Sequence, residues 1–269
     1  MIDIKSSFLE KNSFVLIAGP CVVENYELLE MVAEKMIALT NQLGIPYIFK
    51  ASYKKANRTN LNSFTGLSEE LAISYLEKLK KKYDIPILTD VHSPAECELV
   101  KDIVDVIQIP AFLCRQTELL VAAAHTSKWV NIKKGQFLSP QAMEFAIQKV
   151  RDSGNNNVMA TERGNSFGYQ DLIVDFRSIP IMQSFGVPVI MDCTHSIQQP
   201  NQSMGVTGGT PQYISTMAKA AIAVGAEGLF IETHPNPKQA LSDGANMIPL
   251  ANIEELLYAL MKLKKALVY

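Results

Sequence analysis

Short apolar runs recur along the chain, and each leads into a helical pattern or into a loop before one. The runs cover residues 14–18, 47–50, 86–90, 104–108, 129–132, 157–161, 188–192 and 228–232. They are nearly continuously apolar, which is typical of parallel strands covered by helices. After the first run, apolar residues recur at the spacing of one helical face, at Leu28, Val32, Met36 and Leu39.

Eight such strand and helix units close most simply into a (β/α)8, or TIM, barrel, which is an α/β fold. The chain has 269 residues, of which 48% are hydrophobic, and this is enough apolar material for one large core. We therefore expect a single barrel domain over residues 1–269. Residues 1–13 precede the first strand, and we expect this short extension to close the bottom of the barrel.

The net charge and the pattern of cysteines indicate which kinds of binding partner and which cellular compartment to expect. A formal charge of -2 argues against a nucleic-acid or membrane surface that depends on overall positive charge. Cysteines 21, 97, 114 and 193 form neither a CxxC pair nor a dense disulfide pattern, which favours a reducing compartment. The first residues lack an apolar signal core, and no run approaches the ~20 apolar residues of a membrane span. We expect a soluble cytoplasmic protein with no nucleic-acid or membrane partner.

Basic side chains follow several of the predicted strands, where the catalytic groups of such barrels lie. They are Lys50, Lys55 and Arg58 after the second strand, Arg115 after the fourth, Lys133 and Lys134 after the fifth, and Arg163 after the sixth. One such residue alone is more often a solvated loop residue. Together at one barrel mouth they would repel each other unless anions neutralised them, so they predict substrates with at least one phosphate and a carboxylate.

A second set of strand-end residues carries ligands for a divalent transition metal. It consists of Cys21 after the first strand, His195 after the seventh, and Glu232 and Asp243 at and after the eighth. Each alone has an ordinary explanation, since a lone cysteine is most often a small buried hydrophobe. The first, seventh and eighth strands are neighbours in a closed barrel, however. The set therefore predicts a site for zinc, ferrous iron or manganese.

Ten short motifs between about residue 14 and residue 250 resemble one enzyme family. They read Ala-Gly-Pro-Cys at 18–21, Phe-Lys-Ala-Ser at 49–52, Lys-Ala-Asn-Arg at 55–58, Gln-Ile-Pro-Ala-Phe-Leu at 108–113, Asn-Ile-Lys-Lys-Gly-Gln-Phe at 131–137, Glu-Arg-Gly at 162–164, Phe-Gly-Tyr at 167–169, Asp-Cys-Thr-His at 192–195, Phe-Ile-Glu at 230–232 and Ser-Asp-Gly at 242–244. The set resembles the 3-deoxy-D-manno-octulosonate 8-phosphate synthases. These transferases join phosphoenolpyruvate to D-arabinose 5-phosphate with water and release phosphate, in lipopolysaccharide inner-core biosynthesis, and are homotetrameric (β/α)8 barrels.

The resemblance implies a role for each matching residue. The phosphate of phosphoenolpyruvate would be bound by Arg115, Lys133 and Arg163. Its carboxylate would be faced by Lys50, Ser52 and Lys55. The sugar phosphate would be bound by Asn57, Arg58 and Thr59, with Arg58 on the phosphate. Thr59 replaces the serine of many members, which keeps the hydroxyl on a β-branched side chain. The reaction chamber would be lined by Asp90, His92 and Gln108.

The first loop of the family divides its members by metal use. Metal-requiring members carry cysteine there, and metal-free members carry asparagine. The resemblance therefore implies that Cys21 binds a metal together with His195, Glu232 and Asp243. It also implies that the chemical step is carried by Cys21, Lys55, His195 and Asp243. Whether the metal polarises the aldehyde, orients the sugar or acidifies a water stays open.

Three alternatives are weaker. The sister 3-deoxy-D-arabino-heptulosonate 7-phosphate synthases use erythrose 4-phosphate, and they typically read Lys-Pro-Arg-Thr where this chain reads Lys-Ala-Asn-Arg at 55–58. Sialic acid synthases normally carry a further C-terminal domain. A non-catalytic phosphosugar-binding barrel would keep the basic residues but would not need the metal ligands.

Overall fold

The computed structural model describes residues 3–58, 61–199 and 208–267. Within these ranges a closed barrel of parallel strands is formed by β1 (Val15–Gly19), β2 (Tyr47–Lys50), β3 (Ile87–Asp90), β4 (Val106–Ile109), β5 (Trp129–Lys133), β6 (Val158–Glu162), β7 (Val189–Asp192) and β8 (Gly228–His234). Each strand pairs with the next along the chain, and β8 pairs with β1 with Gly228 opposite Val15. The predicted (β/α)8 fold is confirmed, with strand bounds that differ from the predicted ones by no more than two residues.

Helices surround the barrel. They are α1 (Ile4–Ser7), α2 (Tyr26–Leu43), α3 (Glu69–Tyr83), α4 (Pro94–Val100), α5 (Thr117–His125), α6 (Met143–Asp152), α7 (Ser178–Gln183), α8 (Ile214–Ala223) and α9 (Ile253–Leu267). Short 3-10 turns cover Ala111–Leu113, His195–Ile197, Pro211–Tyr213, Pro237–Gln239, Gly244–Asn246 and Leu250–Asn252. Among the described helices, none is both long enough and apolar enough to traverse a bilayer.

Helix α2 shows how the sequence sets an element's limits. The side chain of Asn25 accepts the amide hydrogen of Leu28 and caps the N-terminus, and Gly44 ends the helix in the left-handed region with φ of 67°. The predicted apolar face is buried at Val32, Met36 and Leu39, whereas Leu28 only packs at its edge.

Additional short strands lie beyond the barrel ends and were not predicted. Asn165–Phe167 pairs with Asp171–Ile173, Gln198–Gln199 pairs with Gly208–Gly209, and Ile248–Pro249 extends beside the end of β8. These strands are two or three residues long. They are too short to leave a periodic signal in the sequence.

The N-terminal extension closes the bottom of the barrel, as predicted. Ile4 of α1 belongs to the apolar cluster inside the barrel, together with Val15 and Val106 at the N-terminal ends of their strands. Phe8 packs on Trp129, with ring centroids 5.6 Å apart. The interior is thus filled with side chains from below, as in a packed barrel rather than a pore.

The apolar interior ends at Phe230, and the polar chemistry begins directly above it. Phe230 belongs to the interior cluster, and the ammonium of Lys133 lies 3.8 Å from the centre of its ring. At the same end Gly19 lets β1 approach β2, because a Cβ there would fall on the backbone carbonyl of Lys50. The floor of the candidate site is therefore one aromatic ring and the last residues of the strands.

Candidate active site

A cavity of about 810 Å³ opens at the C-terminal ends of the strands. Its lining includes most of the residues that the sequence predicted for the site. These are Lys50, Ser52, Lys55, Asn57, Arg58, Asp90, His92, Gln108, Lys133, Arg163, His195, Glu232 and Asp243. The fold thus brings together side chains from loops that are far apart in sequence. Their individual roles stay predictions.

Three predicted residues are not among those that line the cavity in the described part of the chain. Cys21 is buried behind the cavity wall, with Sγ 3.1 Å from Ser242 Oγ and 3.4 Å from Asp243 Oδ2. Arg115 is exposed and does not line the cavity of this single chain. Thr59 lies outside the described residues.

Several of the predicted basic residues pair with carboxylates of the chain itself, and the closest pairs are those of Lys50 and Lys133. Lys50 Nζ lies 2.5 Å from Glu232 Oε1 and donates to the carbonyl of Cys21 at 3.0 Å. Lys133 Nζ lies 2.5 Å from Asp192 Oδ2. Burial would raise the pKa of Glu232, but Lys50 and other cations lower it to about 2. From the sequence, we expected substrate anions to neutralise the basic residues at the barrel mouth. These internal pairs show that carboxylates of the chain neutralise some of them instead.

Asp192 was not predicted as a site residue, although it orients two that were. Besides Lys133, its Oδ2 lies 2.8 Å from His195 Nδ1, and its Oδ1 accepts the backbone N–H of His195 at 2.8 Å. This contact leaves Nε2 of His195 facing Glu232 Oε2 at 3.5 Å. A carboxylate behind an imidazole is a common support for a metal ligand, so the spacing Asp-x-x-His could have indicated it.

Three buried polar atoms of the cavity lining have no hydrogen-bond partner among the described residues. They are Asp90 Oδ1, Arg163 Nη1 and Glu232 Oε2. Buried polar groups are nearly always paired, so unpaired ones in residues that line a cavity point to a ligand that binds beside them. One donor suits an anion, and two carboxylate oxygens suit hydroxyl groups or a cation.

The donor types of the predicted metal set fit a transition metal, but they form two pairs. Cys21 is beside Asp243, and His195 is beside Glu232. Across residues 3–58, 61–199 and 208–267, no three His, Cys, Asp or Glu side chains converge as a group that could hold a metal ion. The thiol, the imidazole and the unpaired Glu232 Oε2 remain the combination that zinc or ferrous iron prefers.

Arg163 is held in place by a buried network beneath it. Glu162 Oε1 accepts the backbone N–H groups of Arg163 and Gly164 at 2.9 and 2.6 Å. Lys134 Nζ lies 3.3 Å from the same oxygen and donates to Asn165 Oδ1 at 2.6 Å. The guanidinium Nη2 donates to Gln198 Oε1 at 2.8 Å. Gln198 was missed because a glutamine outside the predicted strands carries no distinctive sequence signal.

We expect Lys134→Met to lower the free energy of unfolding by about 3–5 kcal/mol, because it leaves the Glu162 carboxylate buried without its counter-charge. Urea unfolding at fixed protein concentration measures this value. Adding Glu162→Gln should recover part of the loss. The exposed Lys81→Met is the matched control and should cost less than about 0.5 kcal/mol. An equal effect of both lysine variants would show that the network does not carry this energy.

Comparisons with known proteins agree with the fold and the motifs. The sequence model of the DAHP synthetase I family matches residues 7–268. The 2-dehydro-3-deoxyphosphooctonate aldolase of Bartonella bacilliformis is 51% identical over 254 residues, covering 94% of this chain and 90% of that protein. The Brucella ovis protein of the same name is 49% identical over 255 residues, covering 95% and 92%. That name denotes the enzyme that the motifs resemble, so the resemblance is confirmed. The chain belongs to the DAHP synthetase I family.

Proposed function

We propose that this protein condenses phosphoenolpyruvate with D-arabinose 5-phosphate and water to give 3-deoxy-D-manno-octulosonate 8-phosphate and phosphate. The observation that carries the proposal is the set of unpaired atoms in one cavity, with a buried guanidinium donor and two carboxylate acceptors. Arg163 at the end of β6 and Arg58 after β2 belong to opposite strands in the barrel order. Two arginines on opposite sides of the barrel mouth suit two substrates that each carry a phosphate and that react with each other between the two arginines.

The relatives support this acceptor over the four-carbon alternative. Proteins about half identical to this chain carry the octulosonate name, whereas the heptulosonate synthases are related at the level of the family. Asn57 lines the cavity in the loop where the sister enzymes carry proline. Its amide can both donate and accept, and a longer sugar offers hydroxyls to such a group.

Residues that line the cavity would hold the reacting groups of both substrates. Lys133 and Arg163 would hold the phosphate that leaves, and Ser52 and Lys55 would hold the carboxylate. With both substrates bound, C3 of the enol attacks the aldehyde carbon of the sugar and water adds at C2. The bond between C2 and the phosphate oxygen then breaks. Because Lys50 already pairs with Glu232, its action on the carboxylate would be secondary to positioning Glu232.

Cys21, His195, Glu232 and Asp243 would hold a divalent metal, zinc, iron or manganese. Such an ion supplies a Lewis acid that polarises or orients the sugar aldehyde. Burial raises the pKa of the Cys21 thiol, so the thiolate that a metal needs would form only with the ion itself. Asp192 would keep His195 in the ring orientation that binds it.

We further propose a cytoplasmic homotetramer. Phe137 and Phe167 are 59% and 63% exposed. The strand of Phe167 is bonded to the loop of Phe137 through Ser166 N and Gln136 O at 3.0 Å. Adjacent exposed aromatic side chains are typical of a surface covered by another subunit. All four cysteines are free, as in a reducing compartment.

The acceptor is tested by phosphate release from phosphoenolpyruvate with a panel of aldose phosphates. We expect kcat/KM for arabinose 5-phosphate to exceed that for erythrose 4-phosphate by about 100-fold or more, because hydrogen-bonding groups left unpaired penalise the shorter sugar. Ribose 5-phosphate, which differs at C2 alone, should also be poor. Comparable turnover of erythrose 4-phosphate would assign the protein to the heptulosonate reaction instead.

The two anion sites should separate in kinetics. Arg163→Ala should reduce kcat/KM for phosphoenolpyruvate by about 100-fold, and Arg58→Ala should raise KM for the sugar phosphate by about tenfold or more, since each removes a charge-assisted contact. Arg177→Ala, which removes an exposed pair with Asp175, is the control and should change neither. Equal damage to both substrates from both variants would contradict this division.

Metal dependence has a readout independent of turnover. Elemental analysis should find a divalent transition ion in the purified protein, and Cys21→Ser should lower its content at least about tenfold, because a neutral hydroxyl replaces a thiolate ligand. A chelator should abolish activity, and the ion should restore it. Cys97→Ser and Cys114→Ser are controls that should retain the metal. Full activity in protein free of metal would refute the role of Cys21.

A further inference from the structure

His92 lies between two carboxylates. Its Nε2 is 3.2 Å from Asp90 Oδ2, and its Nδ1 is 3.0 Å from Glu96 Oε2. Carboxylates accept hydrogen bonds, so each ring nitrogen must carry a hydrogen to make both contacts. A neutral imidazole has one N–H, whereas the imidazolium has two. The geometry is satisfied in full by the charged ring.

Glu96 is itself held from several sides. Its Oε2 accepts from the hydroxyl of the fully buried Tyr53 at 2.5 Å and from the backbone N–H of His92 at 2.9 Å. Its Oε1 accepts from Ser93 Oγ at 3.2 Å and from Lys54 Nζ at 3.3 Å. Burial would raise the pKa of Glu96, but the hydrogen bonds of His92 and Tyr53 lower it to about 2. Glu96 is therefore a fixed negative charge behind His92.

On the cavity side, His92 contacts Asp90, whose carboxylate can accept a further hydrogen bond. His92 contacts Oδ2 of Asp90, while Oδ1 is buried and has no hydrogen-bond partner among the described residues; the residue itself lines the cavity. Burial would raise the pKa of Asp90, but the hydrogen bond of His92 and the charges of Lys55 and Lys50 lower it far below its usual range. Asp90 thus keeps a fixed negative carboxylate in the cavity wall, with one oxygen that has no hydrogen bond among the described residues.

We propose that Glu96 is a positioning residue that keeps His92 as an imidazolium, so that His92 fixes the Asp90 carboxylate in the cavity wall, where it accepts a hydrogen bond from a hydroxyl of the sugar phosphate. The proposal rests on the proposed function, because it takes the sugar phosphate as the ligand. It assigns His92 no proton transfer, since both of its N–H groups are engaged by carboxylates.

The contacts of His92 with Asp90 and Glu96 are sensitive to alkaline pH. Burial would lower the pKa of His92, but the hydrogen bonds with Asp90 and Glu96 raise it to about 9. The other charged or titratable groups that face it through those carboxylates are Tyr53, Lys54, Glu69, Lys55 and Lys50. The charged His92 ring, which makes both contacts, is present below this pKa and is lost as the pH rises through it. Removing the charge of Glu96 must move that loss to lower pH.

Ring nitrogen chemical shifts of the histidines, measured on the protein as purified and without substrate, test the first half of the proposal. The chain has four histidines, and His92→Asn assigns the resonance. In the unaltered protein both ring nitrogens of His92 should be protonated at pH 7.5. In Glu96→Gln the titration midpoint should fall by at least about one pH unit, which is a tenfold change in the proton equilibrium. Glu98→Gln, on the exposed side of α4 and paired with Lys101, is the matched control.

Steady-state kinetics test the second half. At pH 8.5, KM for arabinose 5-phosphate should rise about tenfold in Glu96→Gln, the size expected for loosening one hydrogen bond to a charged group. The rise should shrink at pH 6, and KM for phosphoenolpyruvate should not change. A merely structural role would affect both substrates at every pH.

The outcomes that overturn the proposal are specific. They are a neutral His92 ring at pH 7.5 in the unaltered protein, or the same His92 titration in Glu96→Gln and Glu98→Gln. The first remains decisive if Glu96→Gln fails to fold. Neither measurement needs turnover. Failure of the proposed function would instead appear as no octulosonate product from the unaltered protein.

Discussion

The site depends on pairing lysines with carboxylates at the ends of the barrel strands. Above Phe230 the interior can no longer be filled by apolar side chains, and Lys50 and Lys133 enter a space with little water. A charge there would be costly alone, because the attraction to a partner must offset its desolvation. Glu232 and Asp192 supply that attraction from the neighbouring strands β8 and β7. These pairs allow the barrel to fold before any anionic substrate binds.

The same pairs organise the rest of the site. Asp192 holds both Lys133 and His195, so the predicted phosphate side and the predicted metal side share one carboxylate. Glu232 receives Lys50 on one oxygen, and its other oxygen has no hydrogen bond among the described residues and lies 3.5 Å from His195 Nε2. Polar groups fixed in this manner need little reorganisation during the reaction, and this preorganisation is a main source of catalysis in buried sites.

The sequence was sufficient for the barrel because its strands are buried on both faces and its helices on one. Continuous apolar runs and the spacing of residues such as Val32 and Met36 carry that information directly. Most predicted site residues reached the cavity because strand ends in this fold converge. Arg115 did not, because its place depends on the loop after β4 and not on the strand. Glu96 and Gln198 were missed, since their roles arise from tertiary contacts that leave no local pattern.

The unpaired atoms of the cavity show why both internal and substrate charges are needed. If every cation had an internal carboxylate, phosphate would have to displace one and would bind weakly. If none had, the empty site would concentrate repelling charges. This site lies between the two extremes. Carboxylates of the chain neutralise Lys50 and Lys133, whereas Arg163 Nη1 has no hydrogen bond among the described residues and could pair with an anion. Asp90 and Glu232 line the same cavity and each keeps one oxygen without a hydrogen bond among the described residues, so acceptors suited to hydroxyl groups lie beside the donor suited to an anion.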